Sequence, residues 1–275
     1  MRSTPGTETD CASLQQIIER HVRSRPEANA LWWQGVPTSY RALQTRIEQL
    51  SRTLAGSGDA FDRVAVLAWN CPAFVELTYA VPAAGRILVP LNARLAPAEL
   101  CDQLRRSGAR RLFADPQLLA AVQGHPDFDP SVEAIALGDS YEQWLATAPQ
   151  GDAVGTAGTD PAWILFTSGS TGKPKGAVLT HASFLAGLRS AALGRPVDPQ
   201  DRYFYPFPLF HVAAHNVLLQ HLYGAAVVLA RSFDAGDTLR ACRELGVTTM
   251  SLAPTMIAML LEHPEFKPQD LASVR

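Results

Sequence analysis

The sequence predicts an α/β fold with parallel sheets covered by helices on both faces. Three observations predict it. Short apolar runs alternate with segments of helical period along most of the chain. The runs are apolar throughout and do not alternate in and out, as expected of strands buried on both faces. Hydrophobic residues make up 47% of the 275 positions and charged residues 18%, which supplies a large core and argues against disorder. At about 100–200 residues per domain, this length suits two units.

The elements follow in order. Leu14, Ile17, Ile18, His21 and Val22 share one face of a helix that Pro26 closes. Ser39 can cap a second helix, in which Tyr40, Leu43, Ile47, Leu50 and Leu54 repeat at helical spacing before "GSG" at 56–58. "RVAVLAW" (63–69) reads as a strand, and 72–85 as a helix that Pro82 should end or kink early. A strand at 86–92 precedes a helix at 97–108, with proline in its first turn and glycine at its end. Strand 110–115, helix 116–124 and strand 132–139 continue the alternation. Residues 147–161, "TAPQGDAVGTAGTDP", have no apolar period and read as an exposed linker. Strand 162–166, a glycine-rich loop, strand 176–181 and helix 182–194 come next. Strand 225–230, helix 235–246, strand 248–254 and helix 255–263 complete the pattern.

Several classes of function are disfavoured. A net charge of −2 offers no basic patch for nucleic acid or a membrane surface. Cys11, Cys71, Cys101 and Cys242 are scattered without a C-x-x-C pair, which fits a reducing compartment better than disulfides or zinc. Residues 1–10 lack the apolar core of a secretory signal and read as a flexible N-terminus. No run of 18 apolar residues suggests a membrane span. The expectation is a soluble cytoplasmic protein.

The loop is "TSGSTGKPKG" (167–176). Gly169, Gly172 and Gly176 can adopt positive φ and let the backbone approach an anion. Thr167, Ser168, Ser170 and Thr171 add hydroxyls, and Lys173 and Lys175 add positive charge. Successive backbone N–H groups in such a turn form an anion nest, so the reading is a phosphate cradle. It is not a Walker A loop. Pro174 stands where that pattern needs its second glycine, and neither lysine is followed by Ser or Thr. It also runs into the apolar stretch "GAVLTH" and not into a helix, so a strand–loop–strand cradle is expected.

"ILFTSGSTGKPKGAVLTH" (164–181) closely resembles the phosphate-loop signature of the adenylate-forming (ANL, AMP-binding) superfamily, nearest to its acyl-CoA synthetases. "PLNARLAPAEL" (90–100), "YPFPLFHVAAH" (205–215) and "TTMSLAPTMIAMLL" (248–261) resemble further stretches of that family. The resemblance implies an ANL-type large N-terminal domain with two doubly wound subdomains. The first would cover 61–194. The second, incomplete, would be built from 11–60 and 195–275.

The resemblance also implies two half-reactions. A carboxylate attacks the α-phosphorus of ATP to give acyl-AMP and pyrophosphate, and a thiol, usually coenzyme A, then takes the acyl group. Thr167, Ser168, Gly169, Ser170, Thr171, Gly172, Lys175 and Gly176 would bind the phosphates, with Lys173 the second lysine. Preplaced donors there stabilise the charge that grows on the departing pyrophosphate. Lys175 is thereby a catalytic candidate, and Mg²⁺ is the expected phosphate counter-ion.

His211 falls on the family's Pro-Leu-Phe-His position, which implies a place at the edge of the carboxylate pocket. The alternative is a histidine packed among Tyr203, Phe204, Tyr205, Phe207 and Phe210. His211 and His215 stand four apart, but no third ligand is evident, so no metal site is assigned. His181 is expected to start or cap a helix, and His21, His125, His221 and His263 to be surface or core residues. No "FDxS" motif follows Phe210, whereas "SFDAGDTL" (232–239) resembles a segment of acyl-CoA synthetases. A CoA ligase is therefore favoured over an amino-acid-adenylating domain.

By the same resemblance, the 275 residues stop before the adenine-binding motifs, the ribose-binding Asp and the C-terminal domain with its catalytic lysine. The expectation is an N-terminal portion inactive alone, prone to self-association through an exposed sheet edge. The rival readings are a non-catalytic AMP-binding-like protein and a phosphotransferase, for which no base or Mg²⁺-holding Asp near a strand end is evident.

Overall fold

The structure is a computed structural model that describes residues 11–56, 58–147, 155–167 and 174–275. Its element order is α1 (Gln16–Ser24), β1 (Asn29–Trp33), β2 (Val36–Ser39), α2 (Tyr40–Ala55), β3 (Arg63–Leu67), α3 (Pro72–Ala83), β4 (Ile87–Pro90), α4 (Pro97–Ser107), β5 (Ala109–Ala114), α5 (Pro116–Gln123), β6 (Glu133–Ala136) and α6 (Asp139–Ala146). There follow β7 (Pro161–Thr167), β8 (Lys175–Thr180), α7 (His181–Gly194), β9 (Arg202–Tyr205), α8 (His215–Leu222), β10 (Ala226–Leu229), α9 (Ala235–Leu245), β11 (Thr249–Met250) and α10 (Pro254–Leu261).

The strands form two sheets. One runs β6-β5-β3-β4-β7-β8 and is parallel except for the β7–β8 pair. The other runs β11-β9-β10-β1-β2 and is parallel except for β1–β2. A contiguous buried cluster draws on both sheets, from Val64–Leu67 and Leu88 to Leu31, Val227 and Leu229. α3 is buried at every position from Phe74 to Ala83, as a helix walled in on all sides must be.

Local chemistry sets the boundaries. The Ser39 hydroxyl accepts the Ala42 N–H at 3.1 Å, a cap typically worth about 1 kcal/mol. Asp115, Thr180 and Asp234 cap α5, α7 and α9 in the same way. Gly108 ends α4 in the left-handed conformation, with φ 67°.

Four expectations are corrected. α3 runs through Pro82. That proline sits one residue from the helix end, so its missing N–H removes a single bond, and Ala84 N–H still reaches Ala80 O at 3.0 Å. Residues 29–39, assigned no element from sequence, form a hairpin that turns at Gln34 (φ 51°) and Gly35 (φ 79°). Both residues are left-handed, as a tight two-residue connection requires. The segments carrying β9, α6 and α8 likewise have no element assigned from the sequence. The strand expected over 248–254 shrinks to Thr249–Met250, which pairs with β9 at the edge of the described sheet. Of the linker expected at 147–161, residues 148–154 lie outside the described residues, and Pro161 already belongs to β7. Among the described residues, no helix is long and apolar enough to cross a membrane.

Candidate active site

In a parallel sheet, ligands are met at the carboxyl ends of the strands. Here those ends carry the residues with distinctive chemistry. β7 is parallel to β4, so the hairpin that leaves Thr167 opens at the same sheet edge as Asn70 after β3, Arg94 after β4 and Asp115 after β5.

The expected strand–loop–strand arrangement is present. β7 and β8 pair antiparallel, with Phe166 opposite Gly176 and Thr167 opposite Lys175. The Thr167 hydroxyl donates to Lys175 O at 3.4 Å across the neck of the loop. The Lys175 side chain is in an exposed strand position, with no ion pair to any described residue. Ser168, Gly169, Ser170, Thr171, Gly172 and Lys173 lie outside the described residues. Gly176 also has a packing role. It does not adopt positive φ, and a Cβ there would stand 2.8 Å from Ile164 Cγ2 across the strand pair.

The second group gathers around His211. A cavity of about 370 Å³ is lined by Trp69, Arg94, Phe207, His211, Arg231, Phe233 and Met256, among others. This volume is within the usual range for small-molecule sites. His211 stands on the exposed rim, its ring centroid 4.9 Å from that of Phe210. Partial desolvation by the cavity wall, and then the Arg94 charge, lower its pKa below the ordinary histidine value. The neutral imidazole this favours can donate one hydrogen bond and accept another. A larger cavity of about 530 Å³ lies between the β1–β2 turn and α9. None of the residues expected to act lines it, so size alone does not mark the site.

Asn70, unremarked in the sequence, holds the His211 segment in place. It is 1% exposed. Its amide donates to Phe207 O and to Ala230 O, each at 2.8 Å, and its Oδ1 accepts the Leu209 N–H at 2.8 Å. One side chain thus ties the end of β3 in one sheet to the segments after β9 and β10 in the other. Arg231 reaches back to Asp115 at 3.5 Å.

Three other histidines are engaged in structure. His215 Nδ1–H donates to Val212 O at 2.9 Å, and its Nε2 accepts from Arg195 at 3.1 Å. Both nitrogens are used, and no described cluster of three or more His, Cys, Asp or Glu could hold a metal. His181 opens α7, is buried, and accepts the Leu14 N–H on Nδ1 at 3.1 Å. His221 is fully buried between Tyr79 O–H (2.8 Å) and Ala30 O (2.9 Å).

Comparison with known proteins shows the family. A family model described as AMP-binding enzyme matches residues 18–275. The chain belongs to the AMP-binding enzyme family. It is 34% identical over 263 residues to feruloyl-CoA synthase of an Amycolatopsis species, covering 93% of this chain and 52% of that protein. It is 32% identical to the fatty acid–[acyl-carrier-protein] ligase ScoC of Streptomyces coeruleorubidus, over 96% of this chain and 52% of the relative. Among solved structures, the inhibitor-bound N-terminal domain of FACL13 from Mycobacterium tuberculosis superposes with a TM-score of 0.89 at 28% identity. That match covers 96% of this chain and 69% of the other. O-succinylbenzoate coenzyme A synthetase of Bacillus subtilis, in complex with ATP and magnesium ion, gives 0.82 at 26% identity, over 94% and 53%. This AMP-binding chain spans about half the length of the curated relatives it matches.

Proposed function

We propose that these residues belong to an ATP-dependent acid–thiol ligase, which joins a carboxylic acid to coenzyme A through an acyl-AMP intermediate. The observation that supports it most directly is the β7–β8 hairpin. It sets Thr167 opposite Lys175 at the two ends of the glycine-rich loop, beside the carboxyl ends of the parallel strands. Lys175 and the loop donors would hold the nucleotide phosphates and stabilise the charge that develops on pyrophosphate as it leaves. Mg²⁺ would come with the nucleotide, held by its phosphate oxygens and water. His211, neutral on the rim of an aromatic cavity, would orient the acid by a hydrogen bond. The apolar wall of Trp69, Phe207, Phe233 and Met256 would take the acid's carbon skeleton. Relatives named for feruloyl-CoA and indoleacetate–CoA suggest an aryl-bearing acid, and ScoC suggests a fatty acid on a carrier protein. Residues 1–275 taken alone are proposed to bind the nucleotide without adenylating an acid at a useful rate.

Calorimetry with MgATP tests the core of this reading. The 275-residue chain should bind, and Lys175→Ala should weaken binding about 10- to 100-fold, the loss of charge-assisted hydrogen bonds. Equal binding by both proteins would remove Lys175 from the site. Absence of binding by the unmodified chain would end the phosphate-loop reading for these residues.

A further inference from the structure

We propose that Arg106 is a positioning residue for the phosphate loop, clamping both limbs of the β7–β8 hairpin at the loop's neck. The inference rests on the nucleotide reading above, but its geometry stands independently. Arg106 lies in the last turn of α4, outside the hairpin. Its NH2 donates to Pro174 O at 2.5 Å, immediately before Lys175 on the outgoing limb. Its guanidinium carbon lies 5.8 Å from the ring centroid of Phe166, immediately before Thr167 on the incoming limb. NH1 faces Asp102 Oδ2 at 3.3 Å, one turn earlier in the same helix. The guanidinium therefore reaches its carboxylate anchor and one limb by hydrogen bonds, and the other limb through the Phe166 ring. A lysine ammonium cannot offer that combination.

The sheet explains why a clamp is useful there. Among the described strands, β8 is the edge of the six-stranded sheet and pairs with β7 alone. Its outgoing limb thus lacks the second partner that an interior strand has. Among the described residues at the neck, the Thr167–Lys175 rung and Arg106 link the limbs. Pinning both ends of a loop lowers the ordering cost of wrapping it around a ligand, and the saving appears as affinity. Arg105 supplies an internal control. It pairs with the same Asp102 at 2.8 Å, and no hydrogen bond, ion pair or ring contact links it to a described residue of either limb.

The test compares Arg106→Gln, Arg106→Lys and Arg105→Gln in the 275-residue chain. The readouts are amide hydrogen exchange over 167–176, MgATP affinity and thermal midpoint. Arg106→Gln should speed exchange in the loop and weaken MgATP about tenfold, the loss of one charge-assisted hydrogen bond. Its thermal midpoint should lie within about 4 °C of that of Arg105→Gln, the cost of a local contact and not of the fold. Arg106→Lys should recover part of the affinity, and Arg105→Gln should behave as the unmodified chain does. Loop exchange that is the same in Arg106→Gln and Arg105→Gln would overturn the clamp, whatever MgATP does. If the unmodified chain fails to bind MgATP, the nucleotide reading falls, and the exchange comparison still decides the clamp.

Discussion

Replacing Asn70 tests whether the His211 segment is held as its hydrogen bonds imply. Asn70→Ala removes one donor group and one acceptor. Three backbone groups lose their partners: Phe207 O, Ala230 O and Leu209 N–H, each bonded at 2.8 Å. A buried group left unsatisfied costs about 1–3 kcal/mol, so three give an upper bound of about 9 kcal/mol. The vacated carboxamide volume can admit a water, which bridges two of the three groups and recovers much of that. The expected loss is about 3–4 kcal/mol, read from urea unfolding followed by circular dichroism at pH 7. Asn70→Asp sharpens the test because it keeps the shape and the bond from Leu209 N–H. It points a carboxyl oxygen at two carbonyls, which favours the protonated, donating form. The folded pKa is then raised above the unfolded value, so stability is fully present at low pH and declines as pH rises above about 4. Destabilisation by Asn70→Ala of less than about 0.5 kcal/mol would refute the reasoning. So would an Asn70→Asp protein whose stability relative to the unmodified chain is greater at pH 8 than at pH 5.

Three further outcomes follow from the packing. His21 and His221 are held neutral by burial, each with its pKa lowered to about 4, so unfolding takes up protons below pH about 6.5. Stability should fall from pH about 6.5 toward about 4, by about 3 kcal/mol for fully buried His221, and His221→Gln should flatten that slope in urea titrations at several pH values. Gly176→Ala should cost about 1–3 kcal/mol through its collision with Ile164 Cγ2, and Ile164→Ala in the same chain should relieve the collision, as a double-mutant cycle will show. Arg46 bonds buried Glu76 at 2.5 Å and exposed Glu142 at 2.6 Å, while Tyr141 O–H donates to Glu76 at 2.6 Å. Arg46→Ala strands the Glu76 charge and should lower stability by about 3 kcal/mol, whereas adding Glu76→Gln should recover part of it.

The sequence by itself determined the fold class and the family. Apolar runs such as 63–69 and 86–92 mark strands buried on both faces, and they can be read because they depend only on local composition. The caps at Ser39 and Gly108 are legible for the same reason, since a hydroxyl or a missing Cβ acts on its own backbone. The string at 167–176 carried the family resemblance, and the match over residues 18–275 agrees with it. The tertiary structure decided what depends on distant partners. The path of α3 through Pro82 is tolerated because the proline lies at the helix end and inside the core. The β1–β2 hairpin becomes a sheet edge only once β1 pairs with β10, 196 positions on between Leu31 and Val227. Asn70 and Arg106 belong to no recognisable motif. Their partners lie 137 and 68 residues away, at Phe207 and Pro174, and only the folded chain brings them within hydrogen-bond reach.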